Sequence, residues 1–418
     1  MALERAATPA GAALERAALR RRLRRAGRWR RLEAAALLAP ALLFLLVFFL
    51  LPIAGMLARS VGNPELREVM PATAAAIRDW DAEGLPEEPV FATFATELRQ
   101  TYAAKTLGIA AKRLAYDQPD FRSLLFATAR KLPDRPQRSW RETLIGLDPA
   151  WGERPTWLVI RRAAAPWTPI YLLAALDRQL DAQGAIVRVP AQQAIYLDIF
   201  QRTFTIGVGV TLLCLLLGYP LAYKLATLPV RVSNLLMILV LLPFWTSLLV
   251  RTAAWVVLLQ REGPINGALQ ALKLTDQPLQ LVYNRFGLYV AMTHVLLPFM
   301  VLPLYSVMRG IPPQLARAAA SLGARPLRAF VKVYLPLTVP GIGAGCLLVF
   351  ILAIGYYITP ALVGGTNDQM VSYFVAFFTN QTINWGMASA LGAVLLAATL
   401  VLFAIYARLV GLDRLKLG

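Results

Sequence analysis

The sequence predicts an all-α polytopic membrane protein with six transmembrane helices and a mostly helical polar insertion between the first two. Of its 418 residues, 57% are hydrophobic and only 16% are charged, whereas soluble domains carry about 25% charged residues. The apolar residues gather in runs long enough to cross about 30 Å of hydrocarbon. The net charge of +19 comes from residues that flank these runs, as the positive-inside bias requires, and therefore does not indicate a nucleic-acid partner.

Six apolar runs reach the length of a membrane span, which is about 20 residues. The predicted spans are residues 34–58, 203–226, 234–259, 287–308, 339–362 and 386–410. Outside the insertion, basic residues concentrate in the two tails, 1–33 and 411–418, and in the loops 224–233 and 309–338. This distribution predicts that both termini are cytoplasmic and that the insertion, residues 60–199, is periplasmic.

The first span follows a tail, residues 1–33, that contains ten arginines. A secretory signal peptide has a similar basic region, but its apolar stretch is only about 7–15 residues long. Residues 34–58 form a longer apolar stretch, so we expect a membrane helix that is not cleaved. The basic tail is expected to fix the topology and to lie near anionic lipid.

The insertion is electrically neutral, with 17 basic and 17 acidic residues. Apolar side chains recur at helical spacing at Phe91, Phe94, Leu98 and Tyr102, which predicts a helix with one buried face. Residues 185–189 are predicted to form a short strand. The insertion shows no nucleophile, metal-ligand or phosphate-binding pattern, so its aromatic stripe is interpreted as core.

The residues that usually power transport are missing from the predicted spans. Ion-coupled carriers place carboxylates at membrane depth, yet none of the seven acidic residues outside the insertion lies within a span. The single histidine, His294, is mid-span and is interpreted as a core residue bonded to a neighbouring helix. No phosphate-binding Gly-x4-Gly-Lys-Ser/Thr loop occurs. The chain is expected to bind no metal or cofactor, and an external motor explains the pattern better than its rival, a passive pore.

One loop carries a recognisable pattern. It reads Arg317-Ala-Ala-Ala-Ser-Leu-Gly323 and, nine residues after the glycine, Val333-Tyr-Leu-Pro336. It resembles the coupling loop of ABC-transporter permeases of the binding-protein-dependent importer class: Glu-Ala-Ala, three residues, Gly, nine residues, Ile-x-Leu-Pro. The resemblance implies a short helix, a turn at Gly323, a second short helix, and Leu335-Pro336 leading into the fifth span.

The same resemblance implies that Ala318, Ala319 and Gly323 dock a separate ATPase. Arg317 occupies the position at which the family has Glu, so a carboxylate on the motor would have to pair with Arg317. The alternative for this loop is a basic amphipathic segment that lies on lipid.

Four further segments, residues 212–226, 242–255, 296–309 and 355–365, are similar to spermidine/putrescine permeases. The similarity covers roughly residues 200–410 together with the first span. It implies the type I ABC importer (MetI-like) transmembrane fold in the bacterial inner membrane, with residues 200–410 as the permease core. The implied partners are ABC ATPase subunits that bind the ATP, a second homologous permease subunit and a periplasmic solute-binding protein. The chain itself would not be an enzyme, and the insertion departs from the commonest family pattern.

Polar and aromatic residues near the outer halves of the spans are candidates for the substrate pathway. These are Trp245, Thr246, Arg251, Trp255, Tyr356, Tyr357 and Thr359. Aromatic faces can hold the ammonium groups of a polyamine, although an interfacial aromatic belt would use the same residues. Arg251 would repel a polyamine, and three alternatives are open for it: pairing with a backbone carbonyl, reaching the outer interface, or favouring an anionic or zwitterionic solute. The solute therefore stays open between polyamines and others such as ferric iron, an opine or a phosphonate, and an autonomous channel or scaffold is a more distant alternative.

Overall fold

The computed structural model describes residues 35–136, 138–181 and 184–410. The predictions for the basic tail 1–33 and for the tail 411–418 lie outside the described residues. The chain divides into two compact units, residues 1–58 and 59–418. Within the described residues the regular structure is helical except for one two-stranded antiparallel sheet.

The described part of the first unit is a single apolar helix. This helix, α1, spans Ala35–Arg59 and contains a short π-helical stretch at Leu46–Leu50. Its large apolar side chains are exposed along most of its length. An apolar surface on all sides suits a helix surrounded by hydrocarbon, and its bounds agree with the predicted first span.

In the second unit, the polar insertion contains eight helices and the small sheet. The helices are α2 Glu65–Val69, α3 Pro71–Asp79, α4 Glu88–Ala103, α5 Leu107–Leu114, α6 Phe121–Lys131, α7 Trp140–Leu147, α8 Arg154–Ala164 and α9 Ile170–Ala175. Strand β1 (Arg178–Leu180) pairs antiparallel with β2 (Ile186–Arg188), with Gln179 opposite Val187. The predicted short strand at residues 185–189 is therefore confirmed.

The core of the insertion is built around the predicted aromatic stripe on α4. Phe91, Phe94 and Leu98 are buried, while Tyr102 lies at the edge with 39% of its surface exposed. The Phe94 ring packs 4.8 Å from Trp151 and the Phe91 ring 4.4 Å from Trp157. Such aromatic contacts add to the stabilisation from burial, so the interpretation of the stripe as core is confirmed.

A buried polar network closes the insertion on itself. Arg113 is 1% exposed, and its guanidinium donates to the Asp117 carboxylate at 2.8 Å and to the Asn63 side chain. Arg162 donates to the other Asp117 oxygen at 3.0 Å, and the Asn63 amide donates to three backbone carbonyls between Arg162 and Ala165. The network thus joins the beginning of the insertion to α5 and to the end of α8.

The membrane core follows the insertion and contains most of the long apolar helices. Its helices are α10 Tyr196–Thr227, α11 Val230–Leu241, α12 Leu248–Leu259, α13 Pro264–Ala271, α14 Arg285–Arg309, α15 Pro313–Ser321, α16 Pro326–Gly355, α17 Ile358–Val363, α18 Val371–Asn380 and α19 Trp385–Val410. Including α1, five described helices are long and apolar enough to cross a membrane, or six if one bent pair is a single span.

The bent pair is the predicted third span, which the structure breaks instead of leaving straight. Helix α11 is followed by a 3-10 turn at Leu242–Trp245. Thr246 and Ser247 are then extended, and the second member begins at Leu248 with a bend of 97°. Pro243 contributes to the break, because proline has no N–H for a helical hydrogen bond and favours the first turn of a helix, the position it takes in the 3-10 turn.

The fifth predicted span also differs, because its bounds shift towards the amino terminus. Helix α16 begins at Pro326 and ends at Gly355, seven residues before the predicted end. Tyr356 is extended with ψ 135°, and Pro360 lies in the separate short helix α17. The remaining long spans, α10, α14 and α19, enclose the predicted residues or match them within a few positions.

Helices α10, α14 and α16 form the centre of the membrane core, with Met292, Leu296 and Met300 of α14 fully buried. At Gly345 the backbone of α16 comes so close to α14 that a Cβ would lie 2.7 Å from the Met300 sulfur. A glycine is therefore required there for the two helices to pack.

Candidate functional site

The coupling segment, residues 313–336, has the helix and the turn that the sequence predicts. Helix α15 begins at Pro313, a residue suited to a first turn. Its end is closed by Leu322, Gly323 and Ala324, whose N–H groups donate back to carbonyls of the helix. Gly323 has φ +82°, a left-handed conformation that glycine adopts at little cost and that other residues disfavour.

The coupling segment offers an exposed, basic surface. Arg317, Ala318 and Gly323 are exposed and Ala319 is partly exposed, while Leu322 and Leu327 keep 89% and 74% of their surface accessible. No acidic residue occurs between positions 309 and 338. The surface therefore combines small residues, two protruding leucines and positive charge, which suits docking on a partner that supplies an apolar cleft and carboxylates.

The second short helix of the predicted loop is not separate. Residues Pro326–Ala329 continue through a π-helical turn at Phe330–Tyr334 into the membrane-spanning part of α16. The Leu335 N–H bonds to the Phe330 carbonyl, five residues back, immediately before Pro336, which has no N–H to donate. Leu335 is partly buried and Pro336 is exposed. They lie within one continuous helix and lead directly into its membrane-spanning part.

Four aromatic residues connect this continuous helix to α10. Tyr223 packs edge-on against Phe330 at 5.8 Å and against Tyr334 at 5.3 Å, and the Tyr219 hydroxyl lies 3.2 Å from the Thr338 hydroxyl. Sequence reasoning did not identify this aromatic cluster. The signal was present, because Tyr219 and Tyr223, like Phe330 and Tyr334, are four residues apart and so share a helix face.

Several of the predicted pathway residues meet around His294. The Trp255 indole N–H of α12 donates to His294 Nδ1 of α14 at 3.1 Å, so the prediction of a histidine bonded to a neighbouring helix is confirmed. The charge of Arg251, one turn earlier on α12, lies within electrostatic range of both His294 and Tyr356. Next to it, the Thr252 hydroxyl lies 3.2 Å from the hydroxyl of the buried Thr359. We call Arg251, Trp255, His294 and Tyr356 the Arg251 cluster.

Three other predicted pathway residues lie away from this cluster on exposed surface. Trp245 and Tyr357 are 73% and 43% exposed. Thr246 bonds to the carbonyl of Pro243, at the break between α11 and α12. The structure therefore brings Arg251, Trp255, Tyr356 and Thr359 to one region of the core and leaves Trp245, Thr246 and Tyr357 at the surface of this chain.

A cleft of about 740 Å³ lies between α10, α16 and α19. Its lining is almost entirely apolar, with residues such as Phe204, Phe350 and Phe403, and it includes none of the predicted pathway residues. A polar solute would lose its hydration there without gaining hydrogen bonds. The cleft is therefore not a candidate for the solute pathway.

The insertion is attached to the beginnings of two core helices, α10 and α19, by specific contacts. The Asp177 carboxylate accepts the N–H groups of Ile195, Tyr196 and Leu197 at the start of α10, at 2.7–3.1 Å. Before α19, Asn384 donates to the Tyr116 hydroxyl at 2.6 Å, and Lys112 donates to the Thr382 carbonyl at 2.8 Å.

Burial at this attachment is reflected in the pKa of two of its groups. Burial raises the pKa of Tyr116 to about 12 and lowers the pKa of Lys112. Both shifts follow from loss of hydration of the charged form. The Tyr116–Asn384 contact is partly buried, whereas the Lys112–Thr382 contact is exposed.

Comparison with known proteins places this architecture in a family. The family described as "Binding-protein-dependent transport system inner membrane component" matches residues 214–412. The spermidine/putrescine transport system permease protein PotB of Escherichia coli (strain K12) is 35% identical over 196 residues, which cover 47% of this chain and 71% of that protein. The chain belongs to this family of transport permeases.

Two further comparisons add detail. The protein of the same name from Haemophilus influenzae is 34% identical over 209 residues, covering 50% of this chain and 73% of that protein. A bacterial ABC transporter that imports the acidic polysaccharide alginate shows 17% identity and a TM-score of 0.44 over 53% of this chain and 80% of that chain.

Family membership confirms the broad predictions made from the sequence. The protein is an ABC importer permease, a multi-pass protein of the inner membrane with the all-α MetI-like fold, and it is not itself an enzyme. The matched region begins after the insertion, so the family describes the membrane core alone.

Proposed function

We propose that this protein forms half of the translocation pathway of an ATP-driven importer for polyamines of the spermidine/putrescine type. A second permease subunit forms the other half, and a periplasmic binding protein delivers the solute. ATPase subunits bind the ATP and dock on the coupling segment. Both termini are cytoplasmic in this arrangement, and the insertion of residues 60–199 is periplasmic. The 33–35% identity to permeases named for spermidine and putrescine supports this solute class.

The observation that carries the motor assignment is the geometry of the coupling segment. A helix of a membrane protein that projects small residues and two exposed leucines needs a partner surface. Helix α15 connects through the Gly323 turn to the beginning of α16 and packs against the π turn at Phe330–Tyr334 of that helix. The aromatic cluster then links α16 to α10. A push on α15 by a motor is therefore passed directly to two central helices of the pathway.

The Arg251 cluster supplies a plausible contact for the solute. Ammonium groups are attracted to the face of an indole or phenol ring, with Trp the best partner. Trp255 is partly exposed and is held in place by its hydrogen bond to His294. The positive charge of Arg251 opposes binding of a polycation here, so tight binding of solute is assigned to the receptor, and the permease needs only weak, reversible contact.

The test is uptake by the purified complex in liposomes that contain the chain, its companion permease and its ATPase, with the binding protein outside. We expect labelled spermidine to accumulate only when ATP and the motor are both present. Accumulation without the motor would overturn the motor assignment. Failure of the receptor to bind any polyamine, together with ATP-dependent uptake of another solute, would overturn the solute class and leave the permease role intact.

A pair of variants tests the pathway contact. Trp255→Leu is expected to reduce spermidine uptake, whereas Trp245→Leu, at an exposed tryptophan outside the cluster, serves as the matched control. Trp255→Phe retains a ring and removes the hydrogen bond to His294, and should give an intermediate rate. Equal losses for both leucine variants would show that the cluster has no special role.

A further inference from the structure

Among the arginines in the described part of the membrane core, Arg251 stands out because two of its guanidinium nitrogens are buried without a hydrogen bond. Arg285 donates to the Asp368 carboxylate at 2.8 Å. Arg202 reaches the Gln369 carbonyl and Arg309 the Ala226 carbonyl, at 3.3 and 3.2 Å. In contrast, the Nε and Nη1 atoms of Arg251 are buried and make no hydrogen bond within the described residues. An intramembrane cation without a partner is costly, so this position requires an explanation.

The surroundings of Arg251 in its own chain provide no negative charge. His294, Tyr356 and Trp255 are neutral or cationic groups. In the described part of the membrane core, the carboxylates are Asp198, Glu262, Asp276 and Asp368. All four lie at helix ends or in connecting loops, and Asp368 is already paired with Arg285. No ion pair among the described residues involves Arg251, so its counter-charge is sought outside the described part of this chain.

The position of Arg251 allows access from a neighbouring chain. The residue keeps intermediate exposure although two of its nitrogens are buried. On the same helix, Leu249 and Val250 leave 56% and 62% of their surface uncovered, so the beginning of α12 has an apolar surface with no partner in this chain. A planar guanidinium binds a carboxylate through two parallel hydrogen bonds, which makes arginine well suited to pairs at interfaces.

We propose that Arg251 forms an ion pair with a carboxylate of the companion permease subunit at the interface between the two permeases. The inference rests on the proposed function in one respect, since it requires a second permease. A polycationic solute cannot neutralise Arg251, whereas a companion carboxylate removes the repulsion that an unpaired guanidinium would exert on such a solute. The pair thus holds the two subunits in register and lowers the electrostatic barrier in the pathway.

The test measures assembly without solute or ATP. Tagged chain is coexpressed with its companion and ATPase, and companion recovered per tagged chain is quantified. Loss of one partner from a buried charge pair weakens association by about tenfold or more. We expect that loss for Arg251→Glu, partial retention for Arg251→Lys, and recovery within about twofold of wild type for Arg261→Glu, an exposed arginine just beyond α12.

A charge-exchange experiment identifies the partner carboxylate. It also provides a readout if the Arg251→Glu protein does not accumulate in the membrane. Each intramembrane carboxylate of the companion is changed to arginine in the Arg251→Glu background, and one exchange should restore both accumulation and companion recovery. The proposal is overturned if Arg251→Glu recovers the companion normally. It is also overturned if no exchange restores assembly. Failure of the polyamine assignment would leave these readouts unchanged, because no solute is used.

Discussion

The conformation of Gly323 allows two effects on motor coupling to be separated, the effect of backbone geometry and the effect of side-chain volume. Gly323 ends α15 with φ +82°, and an ideal Cβ placed there meets no atom within 4 Å in this chain. Substitution is therefore free of steric overlap inside the subunit, and its effect comes from the backbone alone. We compare Gly323→Val, Gly323→Ala and Gly323→Asn.

The expected magnitude follows from the cost of the left-handed conformation. An ordinary L-residue in this region costs roughly 1–2 kcal/mol, which corresponds to about a 5- to 30-fold lower population of the native turn. The free-energy cost for valine should be at or above the upper end of this range, because valine is β-branched. Asparagine adopts the left-handed region more readily than other non-glycine residues, so Gly323→Asn should keep most of the function. None of the three should affect the fold, because Gly323 is exposed and outside the cores.

The assay is solute taken up per ATP hydrolysed by the reconstituted complex, with the amount of subunit in the membrane measured in parallel. We expect the order Gly, Asn, Ala, Val from best to worst coupling at equal membrane abundance. Normal uptake by Gly323→Val would refute a role for the turn in docking. Equal defects for Asn, Ala and Val would refute the conformational explanation and point to direct contact of the motor with the Gly323 backbone.

Four other predictions concern separate parts of the chain. Arg317→Glu should weaken pull-down of the motor by up to about fivefold, the effect of an exposed ion pair; an unchanged pull-down would show that Arg317 makes no contact. Asp117→Ala should destabilise the insertion by about 3–5 kcal/mol, because it leaves the buried Arg113 without its carboxylate, and thermal unfolding of the purified protein measures this loss. Tyr219→Phe removes the hydroxyl contact to α16 and should cost about 0.5–1.5 kcal/mol, detected as weaker coupling with normal spermidine binding by the receptor. A cysteine at Ser123 should react with impermeant maleimide added outside intact cells, while one in the basic tail should react only after lysis; the reverse result would overturn the topology.

The fold was largely predictable because long apolar runs have few alternatives. Residues 203–226 and 287–308 are long enough to span a membrane. In hydrocarbon they are expected to be helical, because a helix satisfies its backbone hydrogen bonds within the segment. The break between α11 and α12 was not predicted. The composition of a segment shows that it is apolar, whereas the 97° bend depends on how the chain after Pro243 packs. The same limit applies to α16, whose end at Gly355 is set by the extended Tyr356.

The candidate site was predictable in residue type but not in arrangement. The motif around Arg317 and Gly323 is local in sequence, so the family resemblance was enough to imply its helix and turn. The meeting of Arg251 with His294 requires α12 and α14 to approach each other, and sequence spacing contains no information on that approach. The aromatic cluster of Tyr223 and Phe330 was missed for the same reason, since its two halves are about a hundred residues apart.

The attachment of the insertion to the core has a mechanical consequence. The start of α10 is held by the Asp177 carboxylate, and the loop before α19 is held by Tyr116 and Lys112. The Asp117 network in turn fastens α5, which carries Lys112, to the beginning of the insertion at Asn63 and to the end of α8. Any movement of α10 relative to α19 must therefore either carry the insertion along or break these hydrogen bonds, most of which are partly buried. Since such hydrogen bonds are costly to leave unmade, the first course is favoured, and the insertion holds the beginnings of α10 and α19 together.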